Sequence, residues 1–302
     1  MNGLPADWAL DVPERYFTLE NYDGGVARWC PSCGDFAMLS AVQKICRDEQ
    51  VPPEKLAIVS GIGCSSRFPH YMHAYGFHGL HGRALPVACG VKSRRPDLKV
   101  WVATGDGDCC SIGAGHWLHA ARYNMDLTVM IFDNSVYGLT KKQTSPTSPL
   151  GYKSKTDVWG AVDQPINPLK QAIAAGATFV ARTTSTNPNH VLQMMEAAMD
   201  HDGFSFIECL SECVEFFPGA FDNANPRKGG AFNLVPADHD VTDELAAYKL
   251  AGAGSPGHFG ILYQVKRPTK NALEAKINTD SQAKVKDLAP WQILAKSFER
   301  MK

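Results

Sequence analysis

Two short apolar runs separated by a helical pattern constrain the fold of this chain more than any other feature. Residues 98–107, LKVWVATGDG, have the length and β-branched content of a buried strand that ends in glycine. Residues 111–124 place apolar side chains on one helical face, and residues 126–135, DLTVMIFDNS, form a second buried run. A strand, a helix and another strand favour two parallel strands joined by a crossover, in a sheet covered on both faces.

The same alternation continues towards the C-terminus. Helical patterns at 167–177 and 189–201 are followed by strand patterns at 178–184 and 204–210. We therefore predict an α/β fold with a mostly parallel, twisted sheet flanked by helices, formed by residues 1–218. The pattern loosens after residue 218, so we expect 219–302 to be a C-terminal extension that packs on a partner subunit or ends in a partly mobile tail.

Charge and hydropathy exclude several classes of partner. The 302 residues carry 30 basic and 31 acidic side chains, which indicates no nucleic-acid or membrane-surface partner. No apolar run approaches the roughly 18–20 residues that a membrane-spanning helix needs, and the N-terminal residues do not follow a signal-peptide pattern. We therefore expect a cytoplasmic protein. In that reducing compartment, the nine cysteines are expected to be metal ligands or core residues rather than disulfides.

The segment GDGDCCSIGAG, residues 105–115, indicates a site for a phosphate group. Glycines allow close approach to an anion, and the start of a helix offers free N–H groups. Aspartates would repel phosphate unless a cation lay between them, and Asn134 after the next strand adds an oxygen ligand to that of Asp106. This favours a magnesium-bridged diphosphate over a Rossmann site, whose glycine spacing is absent. A tight turn that only caps a helix is the alternative.

The motif WCPSCGD, residues 29–35, contains a C-x-x-C pair formed by Cys30 and Cys33. Such a pair can bind zinc, hold an iron–sulfur cluster, exchange disulfides or have no chemical role. Its spacing alone leaves these possibilities open.

Several motifs in the same order resemble one family, the 2-oxoacid:ferredoxin oxidoreductases, and specifically their beta subunit. The resemblance extends over roughly residues 20 to 265 and implies a thiamine-diphosphate-binding fold. The motifs are WCPSCGD, GIGCSSR (61–67), HGRALPVACGVK (81–92), GDGD, DNSVYGLT and HFGILYQVKRPT (258–269).

In this family the beta subunit carries a 4Fe–4S cluster, and the resemblance implies four cysteine ligands: Cys30, Cys33, Cys64 and Cys213. Cys209 is the other cysteine of ECLSEC. We assign Cys213 because it stands where the family has Leu-Ser-Pro-Cys, with Glu212 in place of the proline.

The resemblance also implies sites for the other cofactors. Magnesium would be bound by Asp106, Asn134 and the carbonyl of Val136. The residues implied for thiamine diphosphate are Ile62, Gly63, Cys64, Ser65, His81, Gly82, Arg83, Ala84, Gly105, Gly107, Asp108, Gly138 and Leu139. Arg67 would pair with the oxoacid carboxylate and Lys141 with a distal carboxylate, although either could be a solvated loop residue.

The implied reaction is thiamine-dependent oxidative decarboxylation of a 2-oxoacid to an acyl-coenzyme A, with the electrons passed to ferredoxin. It can also run in reverse as a reductive carboxylation. The loop YGLTKKQTSPTS (137–148) is similar to that of the 2-oxoglutarate-type members. An alpha subunit would supply the activating glutamate, in an (αβ)₂ complex. The alternatives are pyruvate or another 2-oxoacid, a non-redox thiamine-dependent lyase with structural zinc, and a regulatory zinc- or cluster-binding module.

Overall fold

The computed structural model describes residues 16–254 and 256–301, so the first 15 residues of the predicted domain lie outside the described residues. Its strands are β1 (Leu56–Ser60), β2 (Tyr75–His78), β3 (Lys99–Gly105), β4 (Leu127–Asp133), β5 (Phe179–Thr184), β6 (Phe204–Leu210), β7 (Asn233–Leu234) and β8 (His258–Gln264). Its helices are α1 (Asp35–Asp48), α2 (Ala84–Arg94), α3 (Ala114–Tyr123), α4 (Pro168–Ala174), α5 (Pro188–Met199), α6 (Glu244–Ala251), α7 (Lys270–Val285) and α8 (Pro290–Glu299).

All eight strands form one sheet in the order β2-β1-β3-β4-β6-β5-β8-β7. In this spatial order, the five neighbouring pairs between β2 and β5 are all parallel. Strand β8 runs antiparallel to β5. Strands β4, β5 and β6 are buried along their whole length, as expected for parallel strands covered on both faces. The predicted α/β fold with a mostly parallel sheet is confirmed.

Helices cover both faces of the sheet and form two separate apolar cores. On one face, α2, α3, α4 and α6 pack on the strands, and the Trp117 ring stacks on Phe206 with centroids 5.0 Å apart. On the other face, α1 and α5 contribute Met38, Ile45 and Met195 to the second core. These helices are held by apolar burial, which contributes roughly 1.5–3 kcal/mol for each large side chain.

The helix predicted at 111–124 is shorter than its pattern suggested. Residues Asp108–Ile112 form a π-helical turn, and the regular helix α3 begins only at Ala114. Wide turns of this kind are rare and concentrate at functional sites. Asn124 caps the C-terminal end of α3 and adopts a left-handed conformation with φ of 51°.

The segment after residue 218 contributes to the main sheet as well as extending from it. Strand β8 pairs with β5, and Phe259 of β8 is fully buried. Helices α7 and α8 have no buried residue, and their packing on a partner subunit stays a prediction. Among the described residues, no helix combines the length and apolar character needed to cross a bilayer.

Candidate active site

The carboxyl ends of the central parallel strands lie at one edge of the sheet. Cys64 follows β1, Asp106 follows β3, Asn134 follows β4 and Cys213 follows β6. The strand order reverses between β1 and β3, and such a reversal creates a crevice where α/β proteins bind ligands. Sequence positions that are far apart thus meet at one place.

Two adjoining cavities occupy this edge. We call them the glycine cavity, of about 130 Å³ and containing Gly105 and Gly107, and the thiol cavity, of about 180 Å³ and containing four cysteines. Both cavities are lined by Asp35, Cys64, Asn134, Gly138 and Leu139. The groups bound in the two cavities would therefore be close neighbours.

Most residues predicted to bind the cofactor line the glycine cavity. These are Ile62, Gly63, Cys64, Ser65, His81, Gly105, Asp106, Gly107, Asp108, Asn134, Val136, Gly138 and Leu139. Gly82, Arg83 and Ala84 lie outside this lining. The Gly82 N–H donates to Asp108 Oδ1 at 2.6 Å, and Arg83 Nη1 donates to the Ile112 carbonyl at 3.3 Å. Ala84 is buried in the core.

The carboxylate of Asp108 is occupied by protein donors. Its Oδ1 atom accepts from the N–H groups of Ile62 (3.2 Å) and Gly82 (2.6 Å) and lies 2.5 Å from His81 Nδ1. Its Oδ2 atom accepts from Thr104 Oγ1 at 2.7 Å. The side chain therefore ties the loops after β1 and before α2 to the end of β3. A predicted diphosphate contact at Asp108 would have to use its backbone.

Asp106 and Asp133 form a buried pair of carboxylates bridged by one hydroxyl. Thr147 Oγ1 lies 2.7 Å from Asp106 Oδ2 and 2.9 Å from Asp133 Oδ1, and its single proton can serve only one of them at a time. Burial raises the pKa of Asp106 to about 6, and burial together with the Asp106 charge raises the pKa of Asp133. A cation bound at Asp106 would offset this repulsion.

The loop after β4 has a fixed shape. Asn134 Oδ1 accepts from Val136 N–H at 3.1 Å, and Asp133 Oδ1 accepts from Ser135 N–H at 2.8 Å. Ser135 has a φ of 54°, and its carbonyl accepts from Ser148 Oγ at 2.7 Å. These contacts hold the predicted oxygen ligands Asn134 and Val136 on the wall of the glycine cavity.

Gly107 lies directly beneath the ring of Tyr137. A Cβ atom at residue 107 would lie 2.1 Å from Tyr137 Cε1, so no larger residue fits without moving the ring. The Tyr137 hydroxyl donates to the Gly107 carbonyl at 3.2 Å. A buried carboxylate, an amide oxygen, a backbone carbonyl and this glycine turn are groups that fit a diphosphate bridged by a hard cation.

The thiol cavity contains the four cysteines predicted as cluster ligands. Cys30, Cys33, Cys64 and Cys213 all line it, together with Arg67 and Lys141. Cys209 is fully buried on β6 and packs in the second core. Of the two cysteines in ECLSEC, Cys213 is thus the one at the cavity. Burial raises the pKa of Cys64 to about 12 and raises the pKa of Cys33 as well.

The four thiols are distributed along the wall of the thiol cavity. Among residues 16–254 and 256–301, no three His, Cys, Asp or Glu side chains converge closely enough to hold a single metal ion. Four thiolates are a ligand set that both a tetrahedral zinc ion and a cubane iron–sulfur cluster can use.

Two side chains fix the loops that carry these cysteines. Trp29 Nε1 donates to the carbonyl of Cys64 at 2.7 Å, which joins the CPSC segment to the loop after β1. Glu212, which stands where the family has proline, accepts from Gly219 N–H at 2.6 Å. The carboxylate thereby closes the turn that follows Cys213.

Three residues of the site were not assigned a role from the sequence. Asp35 lines both cavities, Thr147 bridges Asp106 and Asp133, and the ring of Tyr137 covers Gly107. Asp35 and Tyr137 fall within the motifs WCPSCGD and DNSVYGLT, so their proximity to the site could have been inferred, whereas Thr147 lies near the end of the loop 137–148. Thr147 is brought in by a loop, and no local signal indicates its contact with Asp106 after β3.

Comparisons with known proteins identify the family. The family described as thiamine pyrophosphate enzyme, C-terminal TPP binding domain, matches residues 61–209. The chain is 45% identical over 208 residues, 69% of its length, to the 2-oxoglutarate oxidoreductase subunit KorB of Mycobacterium tuberculosis. It is 41% identical over 189 residues to the 2-oxoglutarate synthase subunit KorB of Methanocaldococcus jannaschii, which covers 63% of this chain and 70% of that protein. The chain belongs to the family of 2-oxoacid:ferredoxin oxidoreductase beta subunits.

The resemblance inferred from the motifs is thereby confirmed. A solved structure of the 2-oxoglutarate:ferredoxin oxidoreductase from Magnetococcus marinus, with 2-oxoglutarate, coenzyme A and succinyl-CoA bound, is similar to this beta-subunit family member. The two structures align with a TM-score of 0.83 and a sequence identity of 37%. The alignment covers 90% of this chain and 96% of that chain. Four curated relatives are matched over only 55% to 62% of their own length.

Proposed function

We propose that this chain is the beta subunit of a 2-oxoglutarate:ferredoxin oxidoreductase. The overall reaction converts 2-oxoglutarate, coenzyme A and two oxidised ferredoxins into succinyl-coenzyme A, carbon dioxide, a proton and two reduced ferredoxins. The observation that carries the proposal is the pair of adjoining cavities, because one offers oxygen ligands and a glycine turn and the other offers four thiols.

Thiamine diphosphate, when bound, supplies a carbon nucleophile that attacks the keto group and stabilises the electron pair left by decarboxylation. Asp106, Asn134 and the Val136 carbonyl would hold a magnesium ion that bridges the diphosphate. Cys30, Cys33, Cys64 and Cys213 would hold a 4Fe–4S cluster, which would supply a one-electron acceptor. The shared walls of the two cavities support this assignment, because electrons would travel only a short distance.

The chain's own residues would bind and orient the substrate. Arg67 and Lys141 both line the thiol cavity, and each can donate hydrogen bonds to a carboxylate. Arg67 is held by a hydrogen bond from its Nη1 to the carbonyl of Arg28 at 3.0 Å. We assign Arg67 to the oxoacid carboxylate and Lys141 to the distal carboxylate of 2-oxoglutarate.

The proposed assembly includes a second kind of subunit. We assign no residue of this chain to the acidic role of activating the aminopyrimidine of thiamine diphosphate. That glutamate, and part of the substrate and coenzyme A site, would come from an alpha subunit in an (αβ)₂ complex, with ferredoxin as the electron acceptor.

The test is anaerobic purification of this chain with its co-purifying partner, followed by visible spectra before and after substrate addition. We expect a broad brown absorbance that bleaches when 2-oxoglutarate and coenzyme A are added, and that pyruvate leaves unchanged. A colourless protein that contains zinc would overturn the redox assignment. A brown protein that bleaches only with another 2-oxoacid would keep the family chemistry and overturn the substrate and the role of Lys141.

A further inference from the structure

We propose that a third cavity, separate from the candidate active site, binds an α-amino acid with an apolar side chain. We call it the arginine cavity, because Arg182 is part of its wall. It has a volume of about 380 Å³ and lies where the ends of β4, β5 and β6 meet α4 and α6. None of the described residues that line it also lines the glycine cavity or the thiol cavity. The inference goes beyond the proposed function and does not depend on it.

A buried ion pair lies in the wall of the arginine cavity. Arg182 of β5 and Glu208 of β6 are cross-strand partners, and Arg182 Nε donates to Glu208 Oε2 at 2.5 Å. The two side chains are only 10% and 2% exposed. Two charges removed from water to this extent are costly unless their remaining donors and acceptors also find partners.

The ion pair leaves several hydrogen-bonding atoms unused. Within residues 16–254 and 256–301, neither Arg182 Nη1 nor Arg182 Nη2 has an acceptor, and Glu208 Oε1 has no donor. The Nη atoms of a guanidinium are N–H donors that suit a carboxylate, and a carboxylate oxygen can accept from an ammonium group. The cavity wall therefore offers donors and an acceptor side by side.

The charge of the pair restricts the kind of ligand. Arg182 and Glu208 together are electrically neutral, so a ligand with a net charge would add an uncompensated charge to a buried site, which is costly. A zwitterion adds no net charge, because its carboxylate can bind the guanidinium while its ammonium binds Glu208. In an α-amino acid both charged groups are attached to one carbon atom, so they are neighbours, as the two protein charges are.

Asp133 also lines the arginine cavity, and we assign it no role in recognition. Its Oδ1 atom already accepts from Ser135 N–H at 2.8 Å and from Thr147 Oγ1 at 2.9 Å. A charge on Asp133 would oppose an anionic ligand further, which makes a simple amine the more informative competitor of a zwitterion.

Much of the remaining wall is apolar. It includes Pro149, Ile166, Leu210, Phe217 and Phe221. The volume lies within the range of small-molecule sites, roughly 300–1,000 Å³, and such sites combine apolar walls with a few polar groups that fix orientation. An aliphatic or aromatic side chain would be buried against this wall, which favours apolar amino acids.

The backbone at Gly257 helps to fix the guanidinium. Gly257 has a φ of 94°, and a Cβ atom at this position would lie 2.2 Å from Arg182 Nη1. The backbone therefore approaches the guanidinium more closely than any side chain would permit. Arg182 is held between Glu208 and Gly257, so little conformational freedom would be lost when a ligand binds.

The experiment is isothermal titration calorimetry of the purified complex with L-leucine and with L-phenylalanine. Each amino acid is compared with its amine, which lacks the carboxylate, and with its acid, which lacks the ammonium group. These analogues are isopentylamine and isocaproate for leucine, and phenethylamine and hydrocinnamate for phenylalanine. We expect saturable binding of at least one amino acid, and binding of both its analogues that is weaker by roughly tenfold or more.

Two test variants and a control locate the site. Arg182→Met combined with Glu208→Gln removes both charges together, because removing one alone would leave a buried unpaired charge. Ala220→Leu places a larger side chain in the cavity and keeps the ion pair. Lys55→Met combined with Asp97→Asn is the matched control, since it removes an exposed ion pair whose Nζ and Oδ2 atoms are 2.8 Å apart.

We expect the Arg182→Met, Glu208→Gln variant to lower the affinity for the amino acid roughly hundredfold, because hydrogen bonds to two charged groups are lost. Ala220→Leu should lower it roughly tenfold by occupying part of the volume that the ligand fills. The control should bind like the wild type.

Several results would overturn the inference. Absence of saturable binding for both amino acids would show a cavity filled only by water. An amine or acid that binds as tightly as its amino acid would show that the site does not select a zwitterion. Unchanged affinity in Ala220→Leu contradicts the assignment even if the charge-free variant fails to fold. The proposed function is tested separately, because a complex that bleaches with 2-oxoglutarate but binds neither amino acid refutes only this inference.

Discussion

Cys64 and Cys213 follow strands that do not touch, yet they line the same cavity. Strands β1 and β6 are separated in the sheet by β3 and β4, and both cysteines come after the carboxyl ends of their strands. The two thiols are close enough for a charge on one to act on the other, because Cys213 contributes to raising the pKa of Cys64. A single bound group can therefore reach both.

This relationship predicts which cysteine of ECLSEC is a ligand. We expect Cys213→Ser to abolish the visible absorbance and the bound iron and sulfide of the anaerobically purified complex. Cys209→Ser is the matched control, because Cys209 lies on β6 in the apolar core and lines neither the glycine cavity nor the thiol cavity. Loss of the cluster in Cys209→Ser with retention in Cys213→Ser would contradict the assignment.

The contact between Gly107 and Tyr137 predicts a paired effect on stability. Gly107→Ala places a methyl group 2.1 Å from the Tyr137 ring, and we expect it to lower the free energy of unfolding by about 1–3 kcal/mol. Adding Tyr137→Ala to the same chain should recover part of that loss, because the obstructing ring is removed. Urea denaturation of the four members of this double-mutant cycle measures the coupling. Strictly additive effects would show that the two residues do not collide.

Lys141 and Lys142 offer a matched test of substrate recognition. Both have a φ of 70°, but Lys141 lines the thiol cavity, whereas the Lys142 Nζ atom lies over the Tyr152 ring at 5.8 Å from its centroid. We expect Lys141→Ala to lower kcat/KM for 2-oxoglutarate roughly tenfold to hundredfold, the usual effect of losing a hydrogen bond to a charged group. Lys142→Ala should change it little. Steady-state kinetics of the complex would refute the role of Lys141 if the two variants behaved alike.

Burial of His201 predicts that acid destabilises the fold. Burial lowers the pKa of His201 below its usual 6.5, and this outweighs the opposite effect of Asp202 and Asp126. The unfolded chain therefore binds a proton at a higher pH than the folded chain, so the free energy of unfolding falls as pH drops below about 6.5. One such group contributes at most about 1.4 kcal/mol per pH unit.

A variant isolates this contribution from those of the other titrating groups. Thr178 Oγ1 donates to Asn124 Oδ1 at 2.8 Å, so its oxygen is free to accept from His201 Nε2, also at 2.8 Å. His201→Gln retains an N–H donor but cannot titrate. We expect a flatter dependence of unfolding free energy on pH between about 7 and 5 than in the wild type, with the exposed His119→Gln as control. Parallel curves for wild type and His201→Gln would disprove the assignment.

The sequence by itself determined the sheet and the local motifs. The runs that became β3, β4 and β6 are apolar over most of their length, and a strand buried on both faces requires such a run. The glycines and aspartates after β3 are adjacent in the chain, so their meeting at one turn needed no long-range information.

Only the tertiary structure decided which distant residues meet. The order of strands brings the loops after β1 and β6 to one cavity, and it allows Thr147 to bridge Asp106 and Asp133. It also buries Asp35 between the two cavities, although the sequence shows only an acidic residue after a C-x-x-C motif. The physical reason is that these contacts depend on strand order and loop path, which are set by the packing of the whole chain and leave no periodic signal around each residue.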